Sequence, residues 1–442
     1  MLKVGFVSLG CPKNQVDLER LAGSLYGGSF LFITDPSVCD LMIINTCGFI
    51  RPAVDEAIET ILSMRAQIPA HAKLIVFGCM VERYKNEFLA QNSKDSEPLL
   101  PEIDFFAGVE EREKILGYVS SLAAGLKINC GKNERFLFNP PYYAYLKISE
   151  GCNNCCSYCA IPLIRGGLRS VPKDELLAEA KRLASGGVKE IIIISQDNTK
   201  YGHDRKESCR LPELLGSLAK ALPNIYFRIM YLNPDGVTPE LIAAVKALPN
   251  VLRYFDIPVQ HASDRILKKM NRHSDSTAIM RCFSMIRKEL PDAFIRTTFI
   301  VGFPGESARD FEKLKSFIEK VKPDYAGFFA YSPEDGTAAA SMPDQVPERV
   351  VMKRLKALQL LQKKNSVRRL KEMKKNEILC FVEKANEDFD FILEGRAFFQ
   401  APEIDGQLYV TDGEAVVGYG PYRAKITKIA YPDIYVKLAG TV

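Results

Sequence analysis

The sequence predicts an α/β protein in three units: an N-terminal open parallel α/β sheet, a central partial (β/α)6 barrel and a small C-terminal antiparallel β-barrel. Three observations carry this reading. Apolar runs and helical patterns alternate through the first ~125 residues. Six further strand-like runs alternate with helices between Tyr145 and Phe329. From Asn376 to Val442 the pattern changes to apolar/polar alternation between Gly, Pro and Asp turns, which suits roughly five short strands. The expected boundaries are 1–125, a linker over 126–143, the barrel over 144–346, a basic helical connector over 347–375, and 376–442. A chain of 442 residues accommodates about three domains with substantial cores.

The first unit contains strands near Lys3–Leu9, Leu41–Asn45 and Lys73–Phe77, with helices near Asn14–Leu25, Pro52–Met64 and Val81–Ala90. Each strand ends in a cysteine, in Gly10-Cys11, Asn45-Thr46-Cys47 and Gly78-Cys79. Ligands of an open parallel sheet bind beyond the carboxyl ends of its strands, so three distant cysteines can meet there. The helix N-termini that follow favour thiolates and an anionic cluster. A single such cysteine is ordinarily a buried small hydrophobe. Three at equivalent positions predict a three-cysteine cluster site. Cys39, Cys130, Cys209, Cys282 and Cys380 have no such company and read as structural.

Residues from about Asn133 to Tyr145, with Pro140-Pro141, read as linker. A strand over Tyr145–Ser149 then delivers Glu150-Gly151-Cys152-Asn153-Asn154-Cys155-Cys156-Ser157-Tyr158-Cys159. Cys152, Cys156 and Cys159 form a C-x3-C-x2-C pattern. Three thiolates on one loop can each bind one iron of a [4Fe–4S] cube and leave the fourth open to a cofactor or substrate. Cys155 also permits two back-to-back C-x2-C pairs and structural zinc, but four-cysteine zinc sites separate their pairs by a spacer that is missing here. Disulfides are disfavoured in a reducing compartment. Gly166-Gly167 reads as a turn flanked by Arg165 and Arg169, whose bland reading is solvent exposure and whose sharper one is a cofactor or substrate carboxylate.

Further strands are expected at Glu190–Ser195, Tyr226–Tyr231, Arg253–Ile257, Ile295–Val301 and Tyr325–Phe329, with helices between them. The site of such a barrel lies at the strand C-termini, beside the cysteine loop. Candidate cofactor contacts there are Tyr158, Gln196 with Asp197, Asn233, Gln260 with His261, and Gly302 to Glu306. His261 could equally be a satisfied structural histidine, and the glycines simple turns.

Charge separates the ends of the chain. Ten bases stand between Lys353 and Lys375 with few acids, either a solvated helix face or a contact to ribosomal RNA. Residues 376–442 hold eleven acids and six bases, a net −5; with +5 overall, residues 1–375 carry +10. An acidic barrel suits a basic protein partner better than a phosphate backbone. No apolar run reaches membrane-spanning length, and the N-terminal apolar stretch is too short for a signal peptide, so a cytoplasmic protein is expected.

The cysteine loop, with an aromatic residue just before its last cysteine, is similar to the signature of radical S-adenosylmethionine (SAM) enzymes. With both cysteine sets and the terminal barrel, the chain resembles the methylthiotransferase family of those enzymes along essentially its whole length. The matching motifs are Ser8-Leu9-Gly10-Cys11-Pro12-Lys13-Asn14, Asn45-Thr46-Cys47, Gly78-Cys79 and Gly151–Cys159. Ile194-Ser195-Gln196-Asp197, Tyr331 to Thr337 and Gln400 to Gly406 resemble the branch that modifies an aspartate of protein twelve of the small ribosomal subunit. tRNA-modifying relatives usually carry Gln-Met where Pro12-Lys13 stand. Cys155 departs from the family, where a basic residue is common.

The resemblance implies a radical-SAM barrel, a C-terminal TRAM domain, two [4Fe–4S] clusters and SAM. The cluster on Cys152, Cys156 and Cys159 would generate an adenosyl radical that takes hydrogen from the aspartate β-carbon. The cluster on Cys11, Cys47 and Cys79 would offer its open iron to a sulfur species, methylated by a second SAM. Rival readings are the same chemistry on a tRNA adenosine, and a non-catalytic iron–sulfur module of the ribosome. Sulfur and electron donors are not legible in the sequence.

Overall fold

The computed structural model describes residues 1–90, 100–122, 125, 127–128, 135–138, 142–206, 209–389 and 391–442. Cys130 and much of the expected linker lie outside the described residues.

The N-terminal sheet contains β1 (Leu2–Ser8), β2 (Phe30–Phe32), β3 (Leu41–Thr46), β4 (Lys73–Gly78) and β5 (Phe105–Ala107). They pair in parallel in the order β2-β1-β3-β4-β5. The helices are α1 (Pro12–Leu25), α2 (Arg51–Gln67), α3 (Cys79–Arg83), α4 (Lys85–Ala90) and α5 (Arg112–Leu122). Proline at the first turn of α1 and near the start of α2 costs no intrahelical hydrogen bond. The central strand β3 is buried along its whole length, as a parallel strand covered on both faces must be. The one expected helix over Val81–Ala90 is two, α3 and α4, interrupted at Tyr84.

The second sheet has β6 (Tyr143–Lys147), β9 (Glu190–Ile194), β10 (Tyr226–Ile229), β11 (Val251–Gln260), β12 (Phe294–Val301) and β13 (Tyr325–Ala330). All neighbours are parallel, and the order β13-β12-β11-β10-β9-β6 leaves the barrel open. Two-residue strands β7 (Ser149–Glu150) and β8 (Arg169–Ser170) pair antiparallel and, with the short α6 (Ile161–Arg165), hold the cysteine loop between them. The outer layer is α7 (Lys173–Ser185), α8 (Leu211–Ala221), α9 (Pro239–Ala247), α10 (Asp264–Lys269), α11 (Ser276–Glu289) and α12 (Ala308–Val321).

The uniformly apolar run of β9 serves two cores. Ile191 and Ile193 pack with Leu176, Leu214 and Leu218 of the helical layer. Ile192 and Ile194 point to the concave side, where Tyr145, Met230 and Tyr254 meet Phe399, Ala401 and Leu408 of the C-terminal barrel. The concave side of the open barrel is therefore packed jointly by its own strands and the C-terminal unit.

That unit follows the long helix α13 (Glu348–Met373) and contains β14 (Glu377–Ala385), β15 (Leu393–Ala397), β16 (Leu408–Asp412), β17 (Tyr422–Ala430) and β18 (Asp433–Thr441). It is closed, in the order β14-β15-β16-β18-β17. Its pairings are antiparallel except for that of β16 with β18, which is parallel. The reason is parity: strand direction cannot alternate around a ring of five. Several of the unit's acids are paired, Asp405 with a base from outside it. Glu383 pairs with Arg396, Glu394 with Lys384, Asp412 with Lys437, and buried Asp405 with Arg296. Glu387, Asp388, Glu403 and Glu414 remain among the exposed acids.

Candidate active site

The three strand-end cysteines converge. Cys11 is the N-cap residue of α1, Cys47 follows β3, and Cys79 opens α3. Gly10, at φ +90°, permits the approach of the first two: a Cβ there would lie 2.7 Å from Cys47 Cβ and 3.0 Å from Cys47 Sγ. Asn14 straps the site together. Its Nδ2 donates to the carbonyls of Leu9 and Thr46, both at 3.0 Å, and its Oδ1 lies 3.4 Å from Cys79 Sγ. Burial, reinforced by Cys11, pushes the Cys79 thiol up to about 12, and Arg165 works against that rise. Burial also pushes Cys47 up. Ligation would therefore have to displace these protons.

The trio faces the second sheet. Lys13, two residues beyond Cys11, places its ammonium 3.6 Å above the ring of Tyr231, just past the carboxyl end of β10. Arg165 does not lie in solvent: its Nη2 donates to Asn14 Oδ1 at 2.6 Å and to Cys79 Sγ at 3.2 Å. Arg169 is half exposed and pairs with Glu110.

The loop from Gly151 to Cys159 is fixed by its own contacts. The Cys152 N–H donates to Gly166 O at 3.1 Å, and Ser157 donates to Met270 O through its N–H and to Lys269 O through its hydroxyl. Gly151, at φ +73°, has no room for a side chain, because a Cβ would collide with the Gly167 carbonyl. Cys159 N–H bonds Cys156 O at 3.0 Å, and Arg272 Nη1 lies 3.9 Å from Cys156 Sγ. Burial pushes Cys159 up to about 12 and raises Cys152. Cys155 stands apart, exposed and at φ +48°. Replacing it by serine is therefore expected to leave iron content and visible absorption of the reconstituted protein unchanged, whereas Cys156→Ala lowers both. Among the described residues no three His, Cys, Asp or Glu side chains converge as the ligands of one ion must. A cube needs less convergence, because each sulfur binds a different iron.

The other candidates separate into two groups. Gln196 is anchored through Nε2 to Glu150 Oε1 at 2.6 Å, while its Oε1 is buried without a partner. A buried unpaired acceptor beside the cysteine loop fits a cofactor that donates hydrogen bonds. Tyr158 packs on Ile266, Met270, Phe303 and Ala339, and burial holds its hydroxyl well above its usual pKa. Gln260 has φ +75° at a register shift of β11 against β12, the kind of bulge that re-aims a side chain. Glu306 and Gly302 need correction as cofactor contacts. Glu306 Oε2 accepts the Gly302 N–H at 2.6 Å, Oε1 accepts from Arg354 at 2.6 Å, and the carboxylate is buried. A Cβ on Gly302 would run into Val351, so the glycine is required by α13. His261 is buried: its Nδ1 accepts the Ser263 N–H at 2.9 Å, while Nε2, 3.7 Å from Glu306, has no hydrogen-bond partner among the described residues.

Residues 146–318 match the radical SAM superfamily, and residues 3–97 match a family described as uncharacterized protein family UPF0004. The ribosomal protein uS12 methylthiotransferase RimO of Geobacter sulfurreducens is 43% identical over 428 residues, covering 94% of each chain. The RimO of Aquifex aeolicus is 42% identical, over 98% of this chain and 96% of its own. The chain belongs to the RimO methylthiotransferase family. In fold this RimO-family chain is similar to the radical SAM methyltransferase TsrM of Kitasatospora setae, with TM-score 0.54 and 13% identity over 76% of this chain and 77% of that one.

The RimO-family site contains groups that sequence reasoning passed over. Asn14 and Glu150 stood inside the cysteine motifs, but only their contacts reveal a role. Asp17 and Arg272 had no local signal, since Asp17 meets Lys147 of the second unit and Arg272 reaches Cys156 from 116 residues further along the chain.

Proposed function

We propose that this chain is a radical SAM methylthiotransferase that adds a methylthio group to the β-carbon of an aspartate of ribosomal protein uS12 in the cytoplasm. The supporting observation is the wall shared by the two cysteine trios, where Arg165, six positions past Cys159, reaches Cys79 Sγ. Residues 1–125 and 144–346 would act as the two cluster-bearing units, joined by 126–143. Residues 347–375 and 376–442 would be the connector and the TRAM unit.

Cys152, Cys156 and Cys159 would hold one [4Fe–4S] cluster, and Cys11, Cys47 and Cys79 the other. Bound there with SAM, the two centres supply hydrogen abstraction from an unactivated carbon and a methylated sulfur to replace that hydrogen. The chain's residues do the rest. Gln196, through its unpaired Oε1, and Gln260 would meet the polar part of SAM, and Tyr158 with Phe303 would exclude water. Asn14 and Arg165 hold the trios in one register, because a radical that waits for its partner is quenched.

Reconstituted chain with SAM, a reductant and sulfide should methylthiolate uS12, detected as a mass increase on one aspartate. Modification of tRNA alone refutes the reading. Bound iron without 5′-deoxyadenosine points to a non-catalytic module.

The outward face of α13 would contact ribosomal RNA. Lys353, Lys356, Lys363, Lys364 and Lys371 on α13, and Lys375 just past its end, are exposed, whereas Arg354 and Arg369 are taken by Glu306 and Asp324. Replacing Lys363, Lys364, Lys371 and Lys375 by glutamate should weaken binding to a ribosomal RNA fragment. The slope of log K against log salt should fall by about 3–4, at ~0.9 for each phosphate no longer neutralised.

A further inference from the structure

The guanidinium of Arg165 is 2% exposed and donates on both sides of its fork. Nη1 donates to Asp17 Oδ2 at 3.0 Å and Glu150 Oε2 at 2.8 Å; Nη2 donates to Asn14 Oδ1 at 2.6 Å and Cys79 Sγ at 3.2 Å. Glu150 in turn accepts from Lys147 Nζ at 2.7 Å and Gln196 Nε2 at 2.6 Å, and it immediately precedes Gly151-Cys152. One planar fork thus spans from the sulfur of one trio to the root of the loop carrying the other.

Two carboxylates already compensate the buried charge, so the bond to Cys79 is not needed for neutralisation. Toward a neutral thiol that bond is weak. Toward a thiolate it is charge-assisted, in a water-poor site, and roughly twice as strong as a neutral one.

We infer that Arg165 is a positioning residue that sets the reduction potential of the group held by Cys11, Cys47 and Cys79 and couples that trio to the Cys152 loop. The inference rests on the two-cluster reading above. One-electron reduction by an external reductant such as dithionite adds one negative charge to the cluster and breaks no bond. A cationic N–H donor at a ligand sulfur favours that more negative form.

The test uses the full chain carrying Cys152→Ala, Cys156→Ala and Cys159→Ala, reconstituted with iron and sulfide, so that only the N-terminal cluster remains. Its midpoint potential is read by EPR at controlled potentials. Arg165→Met is expected to shift the one-electron equilibrium about tenfold toward the oxidised form, or about 59 mV lower. Arg165→Lys, which keeps the charge but loses the fork, should fall between the two. An unmoved midpoint in an iron-replete Arg165→Met protein overturns the inference. So does an equal shift of the other cluster, measured with Cys11, Cys47 and Cys79 replaced by alanine, since that would mark general loosening. If Arg165→Met takes up no iron, Arg165→Lys decides: a lowered midpoint supports the assignment and a wild-type midpoint overturns it. If the parent triple variant with Arg165 intact binds no iron, the two-cluster reading itself fails, and that result is distinct from the others.

Discussion

Alanine at Cys152, Cys156 or Cys159 is expected to abolish 5′-deoxyadenosine formation, whereas alanine at Cys11, Cys47 or Cys79 leaves it within about threefold of wild type and abolishes methylthio transfer. Removing a partner behind a metal ligand typically costs about 10–100-fold, so losing a ligand should cost at least about 10³-fold in the step it serves. The two effects should separate because each trio keeps its own anchors when a cysteine of the other is lost. The Gly151–Cys159 loop is held by Gly166, Lys269 and Met270, all within the second sheet's unit. The strand-end trio is strapped by Asn14 across β1 and β3. Buried Arg165 links them, and loss of one sulfur at Cys79 leaves its bonds to Asp17 and Glu150 in place. The measurement is paired: 5′-deoxyadenosine and methylthiolated uS12 quantified in the same reaction, with iron counted per chain. If Cys11→Ala stops 5′-deoxyadenosine formation as completely as Cys156→Ala, the division of labour is wrong.

The framework of this site was legible because it rests on local patterns. Apolar runs closed by Gly-Cys or Thr-Cys mark parallel strand ends, and a short loop with three cysteines carries its own spacing. Six central strands and a five-stranded terminal barrel follow from the same periodicities. The edge strands β2 and β5, three residues each, are too short for a two-residue period to register. The parallel closure of β16 on β18 comes from ring parity, which no local signal encodes. Side-chain roles were harder still. Arg165 and Arg169 look alike in sequence, yet one is buried against Cys79 and the other pairs with Glu110 at the surface, because only Arg165 meets the N-terminal unit's cysteines. Glu306 sits at a strand end, as a cofactor ligand should, but Arg354 from α13 takes it. Partners contributed by distant segments decide such cases, and a single sequence does not show them.

A second large effect is expected far from the chemistry, at Glu190. This first residue of β9 is wholly buried between Arg228 of β10 and Arg396 of β15, each at 2.6 Å. It is the charged hinge between the open barrel and the C-terminal unit that packs against it. Arg396 retains Glu383 without it, but Arg228 would keep only the Phe398 carbonyl and the face of Tyr254. Glu190→Ala therefore strands a buried cation and should lower stability by about 3–5 kcal/mol. Glu190→Gln, which preserves shape and one acceptor, should lose less. Urea unfolding followed by circular dichroism checks both. The pH dependence has a definite sign. Burial pushes the Glu190 carboxyl up, but Arg228 and Arg396 outweigh it and hold the group below its ordinary value of 4.5. A carboxyl whose pKa is depressed on folding contributes stability that is complete above its unfolded value and disappears as pH falls through the folded one. Wild-type and Glu190→Gln stabilities should therefore differ most near neutrality and draw together below about pH 4. A constant gap across that range would mean that Glu190 acts through packing rather than charge.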